Sequence, residues 1–390
     1  MKGATVASIA LCLGAGCNLD TTPPTISIPT GTLVFASVVS TRTHSCGLTV
    51  TGAAYCWGVN LSGELGDGTT VDRNVPTSVS GGRTFASLAA GRSTTCGVLA
   101  DGSAYCWGDN ATGQFGDGTT TAQMVPVPAA AGHKFTSISF SDPINAPLYE
   151  VCGLETSGAV FCWGRGKSTP AAVGAGFSFT QISAGIGGTF CGIVTAGDAY
   201  CWGFDSHGEQ GVDSTATFTG FATTPQRVNG GHTFSSVSVG FAHACGITTD
   251  AHLYCWGDDT FGQLGDGRPQ TTALTPVSVK GTGLYTAITS GYDGMCAIGT
   301  DEMAYCWGFS SFGNLGIGPV TDGLFPSPLP VAGGGHFASL SKGLNNTCGV
   351  TTTHVAYCWG VGGSGLGIGN DGNNLVAAYT PTKVALQPKL

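Results

Sequence analysis

The tripeptide Cys-Trp-Gly occurs seven times in this 390-residue chain, with its tryptophans at Trp57, Trp107, Trp163, Trp202, Trp256, Trp307 and Trp359, and the chain has no other tryptophan. Each copy follows a second cysteine by ten positions. The resulting pairs are Cys46 with Cys56, Cys96 with Cys106, Cys152 with Cys162, Cys191 with Cys201, Cys245 with Cys255, Cys296 with Cys306 and Cys348 with Cys358. A unit repeated about every fifty residues cannot bury its own apolar face and must stack on copies of itself. The repeat therefore demands an array before it says anything about chemistry.

Within each unit four short β-like pieces alternate with turn residues. The first is Phe-x-x-aliphatic, as in Phe85 with Leu88 and Phe234 with Val237; the second is Cys-Gly-aliphatic; the third is Ala-Tyr-Cys-Trp-Gly; the fourth carries a proline, from Pro76 to Pro381. Proline lacks the donor a central strand needs, which puts the fourth piece at an outer edge. If the second and third pieces form a hairpin around Gly52, Cys46 and Cys56 stand directly opposite, Cα atoms about 4.5 Å apart and within reach of a disulfide. One such bridge per repeat is the expectation for all seven pairs. Buried thiols and a metal are the alternatives, although zinc sites favour closer pairs. The residues flanking the third-strand cysteine, Tyr55 and Trp57 in the first unit, point to the opposite face. Four strands with two unlike faces, seven times over, predict an all-β seven-bladed β-propeller built from seven repeats of about 50 residues.

The stretches Gly63-Glu64-Leu65-Gly66-Asp67-Gly68, Gly113-Gln114-Phe115-Gly116-Asp117-Gly118 and Gly262-Gln263-Leu264-Gly265-Asp266-Gly267, with His44-Ser45-Cys46-Gly47 and His243-Ala244-Cys245-Gly246, resemble the regulator of chromosome condensation repeat family. The resemblance implies a seven-bladed propeller over residues 32–390. Family members include a nuclear exchange factor for a small GTPase and exported bacterial proteins that grip an enzyme with loops of one face. Guanine-nucleotide exchange is the reading least in keeping with this chain's signal-like start and its lack of a basic tail.

Residues 1–16 offer Lys2 and then an apolar run, the outline of a signal peptide. Leu13-Gly14-Ala15-Gly16-Cys17 resembles a bacterial lipobox, with Gly14 where that motif usually has leucine, so Cys17 is the expected lipidation site and 17–31 a tether. The competing reading is an apolar strand of a cytosolic protein. The export reading places the protein at the bacterial outer membrane or cell surface, or secreted, touching membrane only through its lipid. Charged residues are 9% of the chain and the net charge is −9, without a Lys/Arg run, which argues against nucleic acid.

Asp67, Asp117 and Asp266 read as turn formers rather than calcium ligands. His44 and His243 stand where other units carry Thr94 or Asn346 and read as packing residues. Gly360-Val361-Gly362-Gly363-Ser364-Gly365 matches a dinucleotide fingerprint by letters without room for the helix that chemistry needs. No cofactor and no metal site are expected. Function should lie where repeats depart from the pattern. The third unit inserts residues including Asp142, Ile144, Tyr149 and Glu150, and then lacks the Gly-x-Leu-Gly loop, leaving Arg165-Gly166-Lys167. The fourth has a long loop, 204–224, with Phe204, His207, and Phe218 and Phe221 expected exposed. These residues, Arg165 and Lys167 included, are the candidate contacts of a monomeric, non-enzymatic module that binds a protein partner through one propeller face. The alternative is a polysaccharide-active enzyme or carbohydrate-binding surface protein using Asp142, Glu150, Asp205 and Glu209.

Overall fold

Phe35–Ser40 (β1), His44–Thr49 (β2), Ala54–Gly58 (β3) and Arg73–Ser78 (β4) form an antiparallel meander in which each strand pairs only with its neighbours in the chain. In the computed structural model, which describes residues 33–141, 149–213, 221–268, 272–319, 322–369 and 377–386, six further four-stranded sheets repeat this order. First strands of successive sheets pack on one another around an axis, and the last of them, Phe337–Lys342, packs on β1. The result is a closed seven-bladed propeller with the proline-bearing strands outermost, as the missing donor requires.

Every blade comes from one continuous stretch. The outer strand of blade seven, Ala377–Lys383, pairs with Ala356–Val361 of its own blade. Closure is therefore made by packing and by bonds between blades: Leu33 N–H donates to the Leu386 carbonyl at 2.8 Å, and Ser40 N–H to Ser341 Oγ at 2.9 Å.

Cys46 stands opposite Cys56 in the β2–β3 ladder, and the two form a disulfide. The same register bonds Cys96 to Cys106, Cys152 to Cys162 and Cys191 to Cys201. It also bonds Cys245 to Cys255, Cys296 to Cys306 and Cys348 to Cys358. Each expected pair is thus a cross-strand disulfide, with Cα–Cα distances of 4.0–4.1 Å, slightly shorter than the spacing the strand geometry suggested. Seven disulfides suit an oxidising, extracellular environment.

Two classes of glycine frame these bridges. Gly52 takes φ 81° in the hairpin turn, and the residues that replace it, Ala251, Glu302 and His354, adopt the same left-handed conformation at 68°, 65° and 65°. The glycine after the second-strand cysteine has a different cause. A Cβ on Gly47 would stand 2.4 Å from the Phe35 ring, which lies over the strand; where blade six has Ala297, the ring is Tyr285 instead.

Blades are locked to each other through tryptophan. At most junctions the loop after a third strand carries a carbonyl, an apolar side chain or both to the indole of the next blade. Trp107 Nε1 donates to Glu64 O at 2.9 Å, Trp163 to Gln114 O at 2.7 Å, and Trp256, Trp307 and Trp57 to Glu209, Gln263 and Gly365 at 3.0 Å. Leu65, Phe115, Leu264, Leu315 and Leu366 are fully buried in these seams. Gly365 belongs to the fingerprint-like stretch, which forms a 3-10 turn, Gly363–Leu366, at the ring closure. Gly66 (φ 67°) closes the first such loop, and a Cβ there would lie 2.7 Å from Trp107 Nε1.

Candidate functional site

In a meander, turns between strands one and two and between strands three and four leave a sheet at the same end. The strand ends at both irregular features of the third blade, Ser141 with Glu150 and Gly164 with Lys167, and at the long loop of the fourth, Phe204 with Phe221, therefore lie on one face of the propeller. The central channel opens on that face too, since the C-terminal ends of the first strands line its mouth. Ser40, Ala90, Phe140, Ala184, Val239, Ser290 and Lys342 occupy one register position there.

The cavity at the mouth has a volume of about 130 Å³. Beyond the first strands its wall holds Arg42, Arg92, Ile186 and Leu344, each from the turn that follows a first strand. The equivalent residues of blades five and six, Phe241 and Tyr292, lie with ring centroids 4.4 Å apart. At this position the mouth carries arginines on blades one and two and aliphatic or aromatic side chains on blades four to seven. Its one buried cation is Lys342, whose amine is lowered to about 8 by burial, an effect opposed by the Asp293 carboxylate.

Outside the mouth, the blade three–four rim gathers several of the residues singled out by sequence. Blade three joins its strands Val160–Gly164 and Lys167–Val173 by a two-residue turn, Arg165 at φ 52° and Gly166 at φ 82°, the doubly left-handed form that tight hairpins favour. The Arg165 guanidinium lies 3.8 Å from the Phe221 ring centre and 5.5 Å from that of Phe204. Phe204 and Phe221 are themselves paired edge-on at 5.4 Å, across the start of the outer strand of blade four. Tyr149 accepts the Arg165 N–H through its carbonyl. Glu150 opens the adjoining strand opposite Gly164; burial raises its carboxyl, against the pull of Arg165 and Lys167. Phe221 is half-buried rather than exposed, because strand pairing places it between Phe204 and the guanidinium. His207 is exposed, its ring nitrogen 2.8 Å from Ser206 Oγ. Asp142, Ile144 and Phe218 lie outside the described residues, as does Cys17.

Two of the carboxylates considered for catalysis, Asp205 and Glu209, hold their own loop. Glu209 is buried and accepts the backbone N–H groups of Ser206 and His207 at 3.0 and 2.6 Å. Gln114 and Gln263 make the same bond to Thr112 and Phe261 without a carboxylate. Asp205 accepts Gln210 N–H as Asn60 accepts Leu65 N–H. Asp67, Asp117 and Asp266 each accept the amide two residues on, at 2.7–2.9 Å, forming Asx-turns. His44 is buried between Thr41 and Thr95 hydroxyls and bridges blades one and two, a packing role.

A sequence model described as the regulator of chromosome condensation (RCC1) repeat matches residues 51–98, 101–144 and 250–298, and a second RCC1-repeat model matches 85–114 and 234–263. RCC1 repeats are thus matched over residues 51–144 and 234–298 of this chain. It is 28% identical over 172 residues to the ultraviolet-B receptor UVR8 of Arabidopsis thaliana, a match spanning 43% of this chain and 38% of the receptor. It is also 28% identical over 130 residues to the human E3 ubiquitin-protein ligase HERC2, covering 32% of the chain and 3% of the ligase. The chain thus matches well under half the length of these relatives. Among solved structures, yeast RCC1 (Prp20) bound to Kap60 superposes with a TM-score of 0.72 at 18% identity, covering 90% of this chain and 85% of that one. Human WBSCR16 gives 0.73 at 18%, covering 85% and 94%.

In this seven-bladed propeller one set of positions is overshadowed in the sequence by the irregular loops. Arg42, Arg92, Ile186, Phe241, Tyr292 and Leu344 each follow the residue closing a first strand, and only the closed ring brings them together. Their signal lies in the sequence of the repeats: two residues past each first strand stands arginine in blades one and two, and an aliphatic or aromatic residue in blades four to seven.

Proposed function

We propose that this protein is a non-enzymatic interaction module exported to the bacterial envelope, which grips a protein partner with the channel-mouth face. The observation that carries the reading is convergence. The non-repeating loops and the basic-apolar mouth share one face, and a ring of near-equal blades can be specific only through its unequal parts. Related propellers have binding in their descriptions: yeast Prp20 is described with Kap60, and in a second structure with binding to Gsp1p and histones. An aromatic pair under an arginine, Phe204 and Phe221 beneath Arg165, has the composition of an interface anchor. Residues 1–16 would direct export, and a lipid on Cys17 would tether the propeller through 17–31.

The test is affinity capture from envelope extract with the oxidised native protein, beside a variant whose residues 212–220 are replaced by a Gly/Ser loop, which leaves the Glu209 carbonyl on Trp256 in place. A protein retained by the native bait and lost from the variant is the expected result. Equal retention by both, or by neither, removes the reading and makes polysaccharide turnover the next assay. Separately, Cys17→Ser should move the protein from the membrane fraction to the soluble one; an unchanged distribution removes the lipid anchor.

A further inference from the structure

We infer that the channel mouth is a carboxylate socket: it receives an acidic side chain, flanked by apolar ones, at the tip of a loop presented by the protein partner. The inference rests on the partner-binding reading of this face and adds the chemistry of what enters it.

Three cations, Arg42, Arg92 and Lys342, line one cavity of about 130 Å³, and among the described residues no carboxylate lines it. The chain has 14 Lys and Arg against 23 Asp and Glu, so three basic residues around one opening, two of them arginines outside its wall of first strands and one a lysine whose amine reaches the Asn314 carbonyl, run against its overall charge. Several cations elsewhere on the described surface are paired: Arg73 with Asp67, Lys134 with Asp101, Arg227 with Asp198. Arg42 is exposed, Arg92 half-buried, and neither is among the ion pairs of the described residues.

Lys342 carries the argument furthest. Its register position holds Ser40, Ala90, Phe140, Ala184, Val239 and Ser290 in the other blades, so the fold does not require a charge there. The lysine is 5% exposed, its Nζ donates to the Asn314 carbonyl at 3.4 Å, and it forms no ion-pair contact among the described residues. A buried cation without a contacting counter-ion costs stability, which directs attention to a role beyond folding. The opposing charge felt by Lys342 is Asp293, on the neighbouring turn but not on the cavity wall. Ser290 lines the same cavity, and its Oγ is buried without a hydrogen-bond partner.

The apolar half of the rim narrows the ligand class. Ile186, Leu344, Phe241 and Tyr292 give nothing to a polyphosphate or a nucleic acid, and the net charge of −9 repels a long polyanion. A single carboxylate amid apolar side chains satisfies both halves at once, with an arginine fork on one side and aliphatic and aromatic cover on the other.

The test pans a disulfide-closed peptide-loop library against the native protein, with inorganic phosphate as competitor in a parallel arm. The expected consensus has Asp or Glu beside apolar residues. Replacing that acid by its amide, or making Arg42→Gln with Arg92→Gln, should weaken binding about tenfold or more. Lys342→Ser should also weaken binding while raising the thermal midpoint, a combination that a merely structural lysine would not give. A consensus without an acid, no enriched peptide, or a phosphate-competed site indifferent to the peptide overturns the socket. If the partner captured from extract still binds the Arg42 and Arg92 double variant but not the 212–220 loop variant, the face binds and the socket is wrong. Loss from neither variant removes both readings.

Discussion

The junction between blades one and two and that between blades three and four solve one packing problem differently. At the first, the loop of blade one carries Leu65 and the Glu64 carbonyl to Trp107, and Thr95 Oγ donates to the same carbonyl. At the second, blade three has only the Arg165-Gly166 turn, and among the described residues nothing equivalent reaches Trp202. There Phe190, at the register position of Thr95, lies nearly parallel to the indole at 5.8 Å and fills the space. The loop and the bulk of that residue compensate each other: a blade can lose its locking loop if the next blade grows a side chain inward. What the third blade gains is an open rim where Arg165, Phe204 and Phe221 meet.

The sharpest way to break this comparison is to exchange the fillers. Phe190→Thr should cost about 3–5 kcal/mol, the range for truncating a buried aromatic to a small side chain. Thr95→Phe, pushing into a seam already occupied by Leu65, should cost roughly 1–3 kcal/mol through overpacking. Urea unfolding midpoints of the two variants measure the difference; a loss below about 1 kcal/mol for Phe190→Thr would mean that something other than Phe190 supports Trp202.

A second contrast lies in titration. The first residue of the second strand is His44 in blade one, Glu150 in blade three and His243 in blade five. Burial lowers both imidazoles to about 4. With folded values below the ordinary 6.5, the unfolded chain binds protons first, so stability is full above 6.5 and is lost as pH falls towards 4. The loss reaches roughly 3 kcal/mol per histidine. Glu150 has the opposite sign: its raised carboxyl favours the folded state in acid, and that contribution disappears as pH rises. His44→Asn and His243→Asn, borrowing the residue of Asn346, should flatten the acid limb of a melting-midpoint profile. Glu150→Gln should instead raise the midpoint at neutral pH and leave the acid limb intact. A flat wild-type profile between pH 6.5 and 4 would contradict the histidine assignment.

The blade count, the strand order and the disulfide pairs were legible because each is written seven times, and cross-strand register follows from period-two alternation. Gly208-Glu209-Gln210-Gly211 was not legible as a locking loop, because Gln210 stands where its counterparts have Leu65 or Phe115. The exposure of Phe221 was misjudged for a related reason: a long loop suggested solvent, whereas the pairing of Phe221 with Phe204 is a tertiary fact. Phe190 and Lys342 each differ from their equivalents, but their importance depends on what faces them across a seam or a channel. Contacts of that kind join residues some fifty positions apart, and no local pattern encodes them.

The smallest expected effect tests whether the open rim serves binding or folding. Asn-Gly suits a doubly left-handed two-residue turn better than Arg-Gly, since asparagine tolerates positive φ and arginine gains nothing there. Arg165→Asn therefore combines a backbone gain with loss of the guanidinium over Phe221, about 0.5–1 kcal/mol, and should leave stability within roughly 0.5 kcal/mol of wild type. At the regular junction the corresponding probe, Gly66→Ala, brings a Cβ against Trp107 at a left-handed residue and must cost more. If Arg165→Asn is neutral in unfolding yet weakens partner capture, the arginine is kept at a position where folding would accept another residue, as expected of a contact. If it destabilises the protein as much as Gly66→Ala does, the guanidinium belongs to the fold, and partner recognition must rest on the channel mouth and the remaining loops.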